Sequence, residues 1–278
     1  MARTQVSKNS VRSSFLEQAK LAQAHSWLAL GLPGFETSGR FKELQANSFE
    51  IVFEGDDALA ESAVSQREMH HLLRSATLDD LWTLEGDDRL LVKGVISDPS
   101  TRDAYRNVDV RFVFVNEPAL APHISKIEIA ISGLGEKPTV PADLIKSRLL
   151  STNHRWHALV EDPNRTPEPF KELLGERFRM EFGHGSVNSY EELRQWVYGS
   201  ASSVNASRHD MVSVTWCGLS DNEYEAVFVL DWLGLNRDDK MMTAKTKHTW
   251  TMSDDPSERY PRIQHMDVQF LEPFAVIE

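Results

Sequence analysis

The chain lacks most of what secreted, membrane-bound or nucleic-acid-binding proteins depend on. Its 278 residues include one cysteine, Cys217, so no disulfide can form within the chain and a reducing cytoplasm is the expected compartment. No apolar run approaches the length of a membrane span, and the segment 1–15 lacks the apolar stretch of a secretory signal. A formal net charge of −12 disfavours binding to nucleic acid and to anionic membranes.

Motifs that would indicate a cofactor or a metal ion are also missing from the sequence. It contains no phosphate-binding glycine loop, zinc motif or nucleophile elbow. His70 and His71 are neighbours on a predicted helix, where adjacent side chains point about 100° apart, so they form a poor metal pair. His184, between two glycines, has no partner at metal-ligand spacing. We therefore predict no cofactor and no metal.

What the sequence does contain is an internal repeat. Residues 25–53, shifted by 129 positions, fall on residues 154–182 without a gap. The identical pairs include His25/His154, Trp27/Trp156, Ala29/Ala158, Leu30/Leu159, Phe41/Phe170, Leu44/Leu173, Phe49/Phe178 and Phe53/Phe182. Chance gives roughly two identities in such a window, so the chain contains a duplicated domain. We predict domains at 1–136 and 137–278, joined by a Gly- and Pro-bounded linker at 133–141.

Each half follows the same predicted order of elements. An amphipathic helix is followed by a Gly- and Pro-rich break, a short Phe-Lys-Glu-Leu helix, a strand, a second helix and four long strands. In the second half the second helix begins at Ser189, with Glu192 completing a capping box. The predicted long strands are 80–85, 89–97, 107–116 and 123–131, then 211–220, 223–235, 241–253 and 261–271. Helices that precede a largely antiparallel sheet indicate the α+β class.

This element order resembles the nuclear transport factor 2-like superfamily, particularly its SnoaL-like branch with the cystatin-like α+β fold. The resemblance includes the Ser-x-Glu-Glu-Leu helix at 189–193 and the final Arg-Ile-x-x-Met-Asp-Val-x-Phe strand at 262–270. It implies two tandem cone-shaped domains, each with helices packed over a curved antiparallel sheet and a pocket at the open end. Members commonly dimerise through their sheets, so the tandem copy implies an intramolecular pseudo-dimer. A chain that is monomeric in solution is compatible with this arrangement.

The second half is the better candidate for a working pocket. On the strand 241–252, Lys245 and Lys247 must face water, because burial of an unpaired ammonium is costly. His248 and Trp250 therefore face inward, whereas the matching first-half strand directs only apolar side chains inward. The predicted ligand-binding residues are Trp156, His157, Trp216, Trp232 and Trp250. This aromatic lining favours a small apolar or aromatic ligand.

His248 is the predicted acid or base for proton transfer, because the pKa of histidine lies near neutrality. The alternative is a core histidine hydrogen-bonded to a neighbouring Thr or carbonyl. Asp231 is a possible carboxylate partner whose face the alternation leaves open, and His209 begins a strand that can reach the pocket mouth. The repeated His25 and His154 are interpreted as packing residues.

Three functions remain open at this point. The first is binding of a small, largely apolar molecule in the second domain. The second is a cofactor-independent isomerase, dehydratase or cyclase that uses His248 for proton transfer. The third is a non-catalytic interaction scaffold. The sequence favours ligand binding, with an enzyme close behind.

Overall fold

Helices precede a five-stranded sheet in the first half of the chain, as seen in a computed structural model. The structure describes residues 7–29, 44–54, 73, 76–97, 104–115, 121–138, 143–183, 185–199 and 204–277. The first-half elements are α1 (Lys8–Arg12), α2 (Ser14–Ala29), β1 (Gln45–Glu54), β2 (Thr77–Glu85), β3 (Arg89–Ser97), β4 (Tyr105–Phe114) and β5 (Ile124–Gly135). The predicted first copy of the Phe-Lys-Glu-Leu helix and the predicted helix at 65–75 lie largely outside the described residues.

The second half repeats this order with longer strands. Its elements are α3 (Leu144–Glu161), a 3₁₀ helix (Glu168–Glu172), β6 (Leu174–Phe182), β7 (Gly185–Val187), α4 (Tyr190–Tyr198), β8 (Ala206–Ser220), β9 (Glu223–Leu235), β10 (Met241–Ser253) and β11 (Arg262–Val276). The predicted start of α4 is confirmed, since the Ser189 hydroxyl accepts the Glu192 N–H at 3.2 Å. The Glu192 carboxylate in turn accepts the N–H of Asn188, one residue earlier than a standard capping box requires.

The same strand order occurs in both sheets. The first sheet has the order β1-β5-β4-β3-β2, and the second contains β6-β11-β10-β9-β8 with β7 added at its edge. The first strand of each copy pairs in parallel with the last, and the remaining long strands are antiparallel. The predicted α+β class and the duplication are therefore confirmed, with the refinement that each sheet is mixed.

Alternating burial defines the face of each sheet that the opening helix covers. In the first half, Val108, Val110, Phe112 and Phe114 are buried, as the sequence predicts, and they join α2 residues such as Trp27 in one apolar core. The rings of Trp27 and Phe112 lie 5.9 Å apart, edge to face. The side chains that β4 contributes to this core are all apolar, as the sequence predicts.

The chain forms two compact units, and the boundaries between them differ from the boundary of the sequence repeat. One unit, called here the first-half unit, is Lys20–Ser151. The other, called the second-half unit, combines Met1–Ala19 with Thr152–Glu278. The divisions fall inside α2 and α3, whereas the predicted boundary at 136/137 marks the sequence repeat. That boundary and the intramolecular pseudo-dimer stay predictions.

The predicted linker at 133–141 begins too early. Strand β5 continues to Gly135, because the backbone there still pairs with β4, opposite Tyr105. Gly133, with a positive φ, lies at a register shift in the pairing with β4, and the strand continues beyond it. None of the helices in the described part of the chain is long and apolar enough to cross a membrane.

Candidate functional site

Strand β10 forms the floor of the candidate site in the second-half unit. Thr246, His248 and Trp250 are buried on the covered side of the sheet, called here the inner face, and they alternate with half-exposed residues. Lys245 lies on the opposite side, where its Nζ is 3.7 Å from the Asp231 carboxylate. The predicted inward placement of His248 and Trp250 is therefore confirmed. Asp231 is excluded as a partner of His248, because its side chain is half exposed and faces Lys245.

Helix α3 covers this floor and adds a second buried imidazole. His157 is buried, with 1% of its surface exposed to solvent. Its ring centre lies 5.8 Å from that of His248 and 6.4 Å from that of Trp250. Next to it, Trp156 meets Trp250 edge to face at 6.1 Å. The helix and the strand thus bring together residues that are almost a hundred positions apart in the sequence.

The start of strand β8 contributes a third imidazole. The ring of His209 stacks on that of His157 with a 4.3 Å separation and lies 6.4 Å from that of His248. These three residues, His157, His209 and His248, are called here the histidine cluster. The sequence left open whether His209 reaches the site, and the structure places it inside.

A buried carboxylate completes the cluster. Oε1 of Glu161 accepts the ring Nδ1–H of His209 at 2.8 Å and also the backbone N–H of His209 at 2.9 Å. The Glu161 side chain is fully buried, and burial raises its pKa, an effect that the hydrogen bond from His209 opposes. Sequence analysis missed Glu161, although its spacing of four residues from His157 places both side chains on one face of α3.

Burial keeps the rings of His157 and His248 uncharged at neutral pH. It lowers the pKa of His248 to about 3, with a further contribution from the neighbouring imidazole of His209. The pKa of His157 is also well below its ordinary value, first because of burial and then because of the neighbouring imidazoles. Nδ1 of His157 lies 3.2 Å from Oδ1 of Asn153, an acceptor, so the proton of His157 resides on Nδ1.

The repeated histidine of the second half, His154, is hydrogen-bonded to Gln18. Nδ1 of His154 donates to Oε1 of Gln18 at 2.7 Å, and burial lowers the pKa of His154 to about 3. The amide nitrogen of Gln18 donates to the carbonyl oxygen of His209, also at 2.7 Å. His154 is therefore a buried, hydrogen-bonded neighbour of the cluster, in agreement with its interpretation as a packing residue.

Several buried polar atoms around the cluster have no hydrogen-bond partner among the described residues. They are Asn153 Nδ2, His157 Nε2, Glu161 Oε2, Thr246 Oγ1, His248 Nδ1 and Trp250 Nε1. The Ser14 hydroxyl lies near Glu161 and is also within donating distance of the carbonyls of Val11 and Ser207. Because buried polar groups in native proteins are nearly always paired, such a concentration marks a place where polar partners are needed.

The first half of the chain has apolar residues at the matching positions. The strand registers pair Val108, Val110 and Phe112 with the last strand in the way that Thr246, His248 and Trp250 pair with theirs. The repeat offset and the registers give these counterparts: Asn153/Ala24, His157/Leu28, Thr246/Val108 and His248/Val110. At these aligned positions the second half carries polar side chains where the first half carries apolar ones.

The other predicted ligand-binding residues occupy different surroundings. Trp216 is half-buried on β8, beside Tyr224, and Trp232 is buried beside Phe274. Trp156 is a core residue, packed against Phe170 and Trp196 as well as Trp250. The roles of all five predicted residues, and of His248 in catalysis, stay predictions.

No group of three or more His, Cys, Asp or Glu side chains among the described residues has the arrangement of a metal site. In the histidine cluster the rings of His157 and His209 are stacked, whereas the ring of His248 is tilted to the first and edge-on to the second. His70, His71 and His184 lie outside the described residues, so their predicted lack of metal-ligand geometry stays a prediction.

Comparison with solved structures returns nuclear transport factor 2-like and cystatin-like proteins. A type 2 hexachlorocyclohexane dehydrochlorinase (LinA) is 10% identical over 48% of this chain and 86% of its own, with a TM-score of 0.41. A nuclear transport factor 2-like superfamily protein from Salmonella enterica is 14% identical over 46% and 91%, with a TM-score of 0.39. A protein with a cystatin-like fold from Caulobacter vibrioides is 13% identical over 46% and 90%, with a TM-score of 0.38.

Sequence comparisons add nothing to these structural matches. No protein-family model matches the chain, and no curated protein matches it. The strand order that occurs twice, and not any one of the solved structures, establishes the fold.

Proposed function

We propose that the second-half unit binds a small, uncharged and largely apolar molecule at the histidine cluster. The observation that carries this proposal is the set of unpaired buried polar atoms on an otherwise aromatic inner face. Small-molecule sites have this composition, in which apolar walls supply affinity and a few polar atoms fix orientation. A scaffold protein would have no need of such atoms, because each costs stability when it is buried without a partner.

The charge state of the cluster favours an uncharged ligand. His157 and His248 are neutral because burial disfavours their protonated forms, and the same desolvation penalises a charge of either sign on a ligand. The nearest arginines in sequence are engaged elsewhere: Arg155 pairs with Glu172, and Arg208 with Glu17 and Asp210. Neither arginine is therefore free to pair with an anionic ligand at the cluster.

The unpaired atoms also favour an oxygen-containing ligand. With its proton on Nδ1, His157 presents Nε2 as an acceptor, which suits a hydroxyl group on the ligand. The indole N–H of Trp250 is a donor only, which suits a carbonyl or hydroxyl oxygen. A cyclic alcohol or ketone matches both requirements.

Four probes with the same ring test the proposal on the full chain. Isothermal titration calorimetry compares cyclohexanol and cyclohexanone with cyclohexanecarboxylate and cyclohexylammonium. We expect heat of binding for the neutral probes alone and its loss in His248→Val, which installs the residue of the first half. Lys247→Thr, on the opposite side of the same strand, serves as the control and should bind as the unmodified chain does. Tighter binding of either ion, or equal binding by His248→Val, would contradict the proposal.

Proton transfer is a second candidate function, and the contact between His209 and Glu161 favours it. The carboxylate holds the proton of His209 on Nδ1, which leaves Nε2 as a base, and it stabilises the imidazolium that forms when Nε2 takes a proton. His248, the predicted acid or base, has no carboxylate at its unpaired Nδ1. We therefore assign the base to His209 and a hydrogen-bonding role toward the ligand to His248.

Deuterium exchange tests this second candidate without knowledge of the natural substrate. A base beside a bound ketone removes a proton from the carbon next to the carbonyl, and in D₂O a deuteron returns to that carbon. We expect the chain to accelerate this exchange in cyclohexanone, followed by NMR, and His209→Ala to reduce the acceleration by roughly 10². Equal exchange rates for the chain and His209→Ala would exclude His209 as the base.

A further inference from the structure

The first helical turns of α2 contact consecutive residues of strand β8. The Ser14 hydroxyl lies 2.8 Å from the carbonyl oxygen of Ser207, and the Glu17 carboxylate lies 2.9 Å from the Arg208 guanidinium. Gln18 continues the series with the hydrogen bond from its amide nitrogen to the carbonyl oxygen of His209. The segment 14–18 therefore runs along the part of β8 that leads to the histidine cluster.

The orientation of the Gln18 amide is fixed by its two partners. The carbonyl oxygen of His209 can only accept, so the amide nitrogen must face it, and the amide oxygen then faces Nδ1 of His154. Both contacts are 2.7 Å long, and the residue is buried. A side chain held at both ends in this way has one orientation available.

Among the described residues, strand β8 is the last strand of its sheet, and none of the described strands pairs with the outer side of its backbone. Side chains take the place of that strand at His209. Its N–H donates to Glu161 and its carbonyl accepts from Gln18, so both backbone groups are bonded by residues outside the sheet. Glu161 also binds the ring, which means that the backbone held by Gln18 sets the position of the imidazole relative to Glu161.

We infer that Gln18 is a positioning residue for His209, supplied from a helix 191 positions earlier in the chain. It fixes the backbone of His209 so that Nδ1 faces Glu161 and Nε2 is left as the base. This inference rests on the proposed proton-transfer role of His209. Gln18 belongs to the second-half unit, which contains the first residues of the chain.

The tautomer of His209 is the readout that separates positioning from a general structural role. Long-range ¹H–¹⁵N NMR of histidine-labelled full chain reports which ring nitrogen carries the proton. We expect one dominant form in the unmodified chain, with the proton on Nδ1, and a mixture of both tautomers in Gln18→Met. The matched control is Gln23→Met, the same substitution of a buried glutamine on the same helix but in the first-half unit, which should leave His209 unchanged.

A dominant Nδ1–H tautomer in Gln18→Met, with stability reduced as in Gln23→Met, would overturn the inference. If Gln18→Met fails to fold, Gln18→Leu provides the second variant. It also removes the donor to His209 and places no new polar atom in the buried position, so it should give the same mixture of tautomers. Failure of the proposed function would give a different result from failure of this inference. The unmodified chain would then show neither probe binding nor accelerated deuterium exchange, while its His209 would still have a single tautomer.

Discussion

One oxygen atom of Glu161 accepts two hydrogen bonds from a single residue, His209, through its ring at 2.8 Å and through its backbone at 2.9 Å. The contact fixes the side chain and the main chain of His209 together. Since the carboxylate is fully buried, the low local dielectric strengthens both bonds and makes their loss costly. This relationship underlies the proposed chemistry and the first prediction.

Replacement of Glu161 by leucine should destabilise the chain strongly. The substitution leaves the ring and backbone N–H groups of His209 buried without an acceptor, and loss of one partner of a buried pair costs about 3–5 kcal/mol. Glu161→Gln keeps an acceptor oxygen in place and is the matched control, with a clearly smaller loss. Urea denaturation measures both, and equal losses would show that the hydrogen bonds to His209 contribute little.

Replacement of His248 by valine should leave stability within about 1 kcal/mol of the unmodified chain. Nδ1 of His248 is buried without a partner, so its removal relieves a desolvation cost that offsets the loss of contacts. Valine occupies the matching position, 110, in the first half. A fall in the free energy of unfolding of more than about 2 kcal/mol would instead support the alternative of a satisfied core histidine.

Stability should fall as the pH is lowered below about 6.5. The pKa values of His154 and His248 are lowered from 6.5 to about 3 in the folded chain. Between pH 6.5 and pH 3 the unfolded chain therefore binds more protons than the folded chain does. The stability present above pH 6.5 is then lost toward pH 3, by at most about 1.4 kcal/mol per pH unit for each imidazole.

Two comparisons isolate the histidines in this titration. Glu161 acts in the opposite sense because burial raises its pKa, so the measurement is repeated in Glu161→Gln. His248→Val should show a shallower pH dependence, since it removes one imidazole. Urea midpoints that are constant between pH 7 and pH 5 in both variants would contradict the buried neutral histidines.

Trp156 should prove to be a structural residue. It is buried and packs against Phe170, Trp196 and Trp250, so Trp156→Ala should cost roughly 3–5 kcal/mol. Thermal unfolding measures this loss. A small change in stability, together with abolished binding of cyclohexanol, would instead support the predicted ligand contact.

The fold could be predicted because its signals are local or repeated. Alternation of apolar residues located both ends of β9 and β10, although it placed the start of β8 and the end of β11 five residues short, and the repeat revealed the duplication. The end of β5 was placed wrongly because Gly133 and Gly135 are typical of linkers, whereas strand pairing continues through both. Pairing across a sheet depends on residues far away in the chain, which local patterns do not contain.

The site could be predicted only in part. The charges of Lys245 and Lys247 fix the inward face of β10, which identified His248 and Trp250. Glu161 and Gln18 gave no comparable signal, since a carboxylate at a helix end and a glutamine in an amphipathic helix are ordinarily exposed. Their roles follow from tertiary contacts with His209, which is remote from both in the sequence.

Ligand-induced changes at the imidazole nitrogens test the central claim most directly. Histidine-labelled full chain is titrated with cyclohexanol, and ¹⁵N shifts of the ring nitrogens are followed by NMR. We predict saturable shifts at Nε2 of His157 and Nδ1 of His248, with His25 of the first-half unit unaffected. Unchanged shifts at His157 and His248, or shifts of equal size at His25, would contradict a ligand site at the histidine cluster.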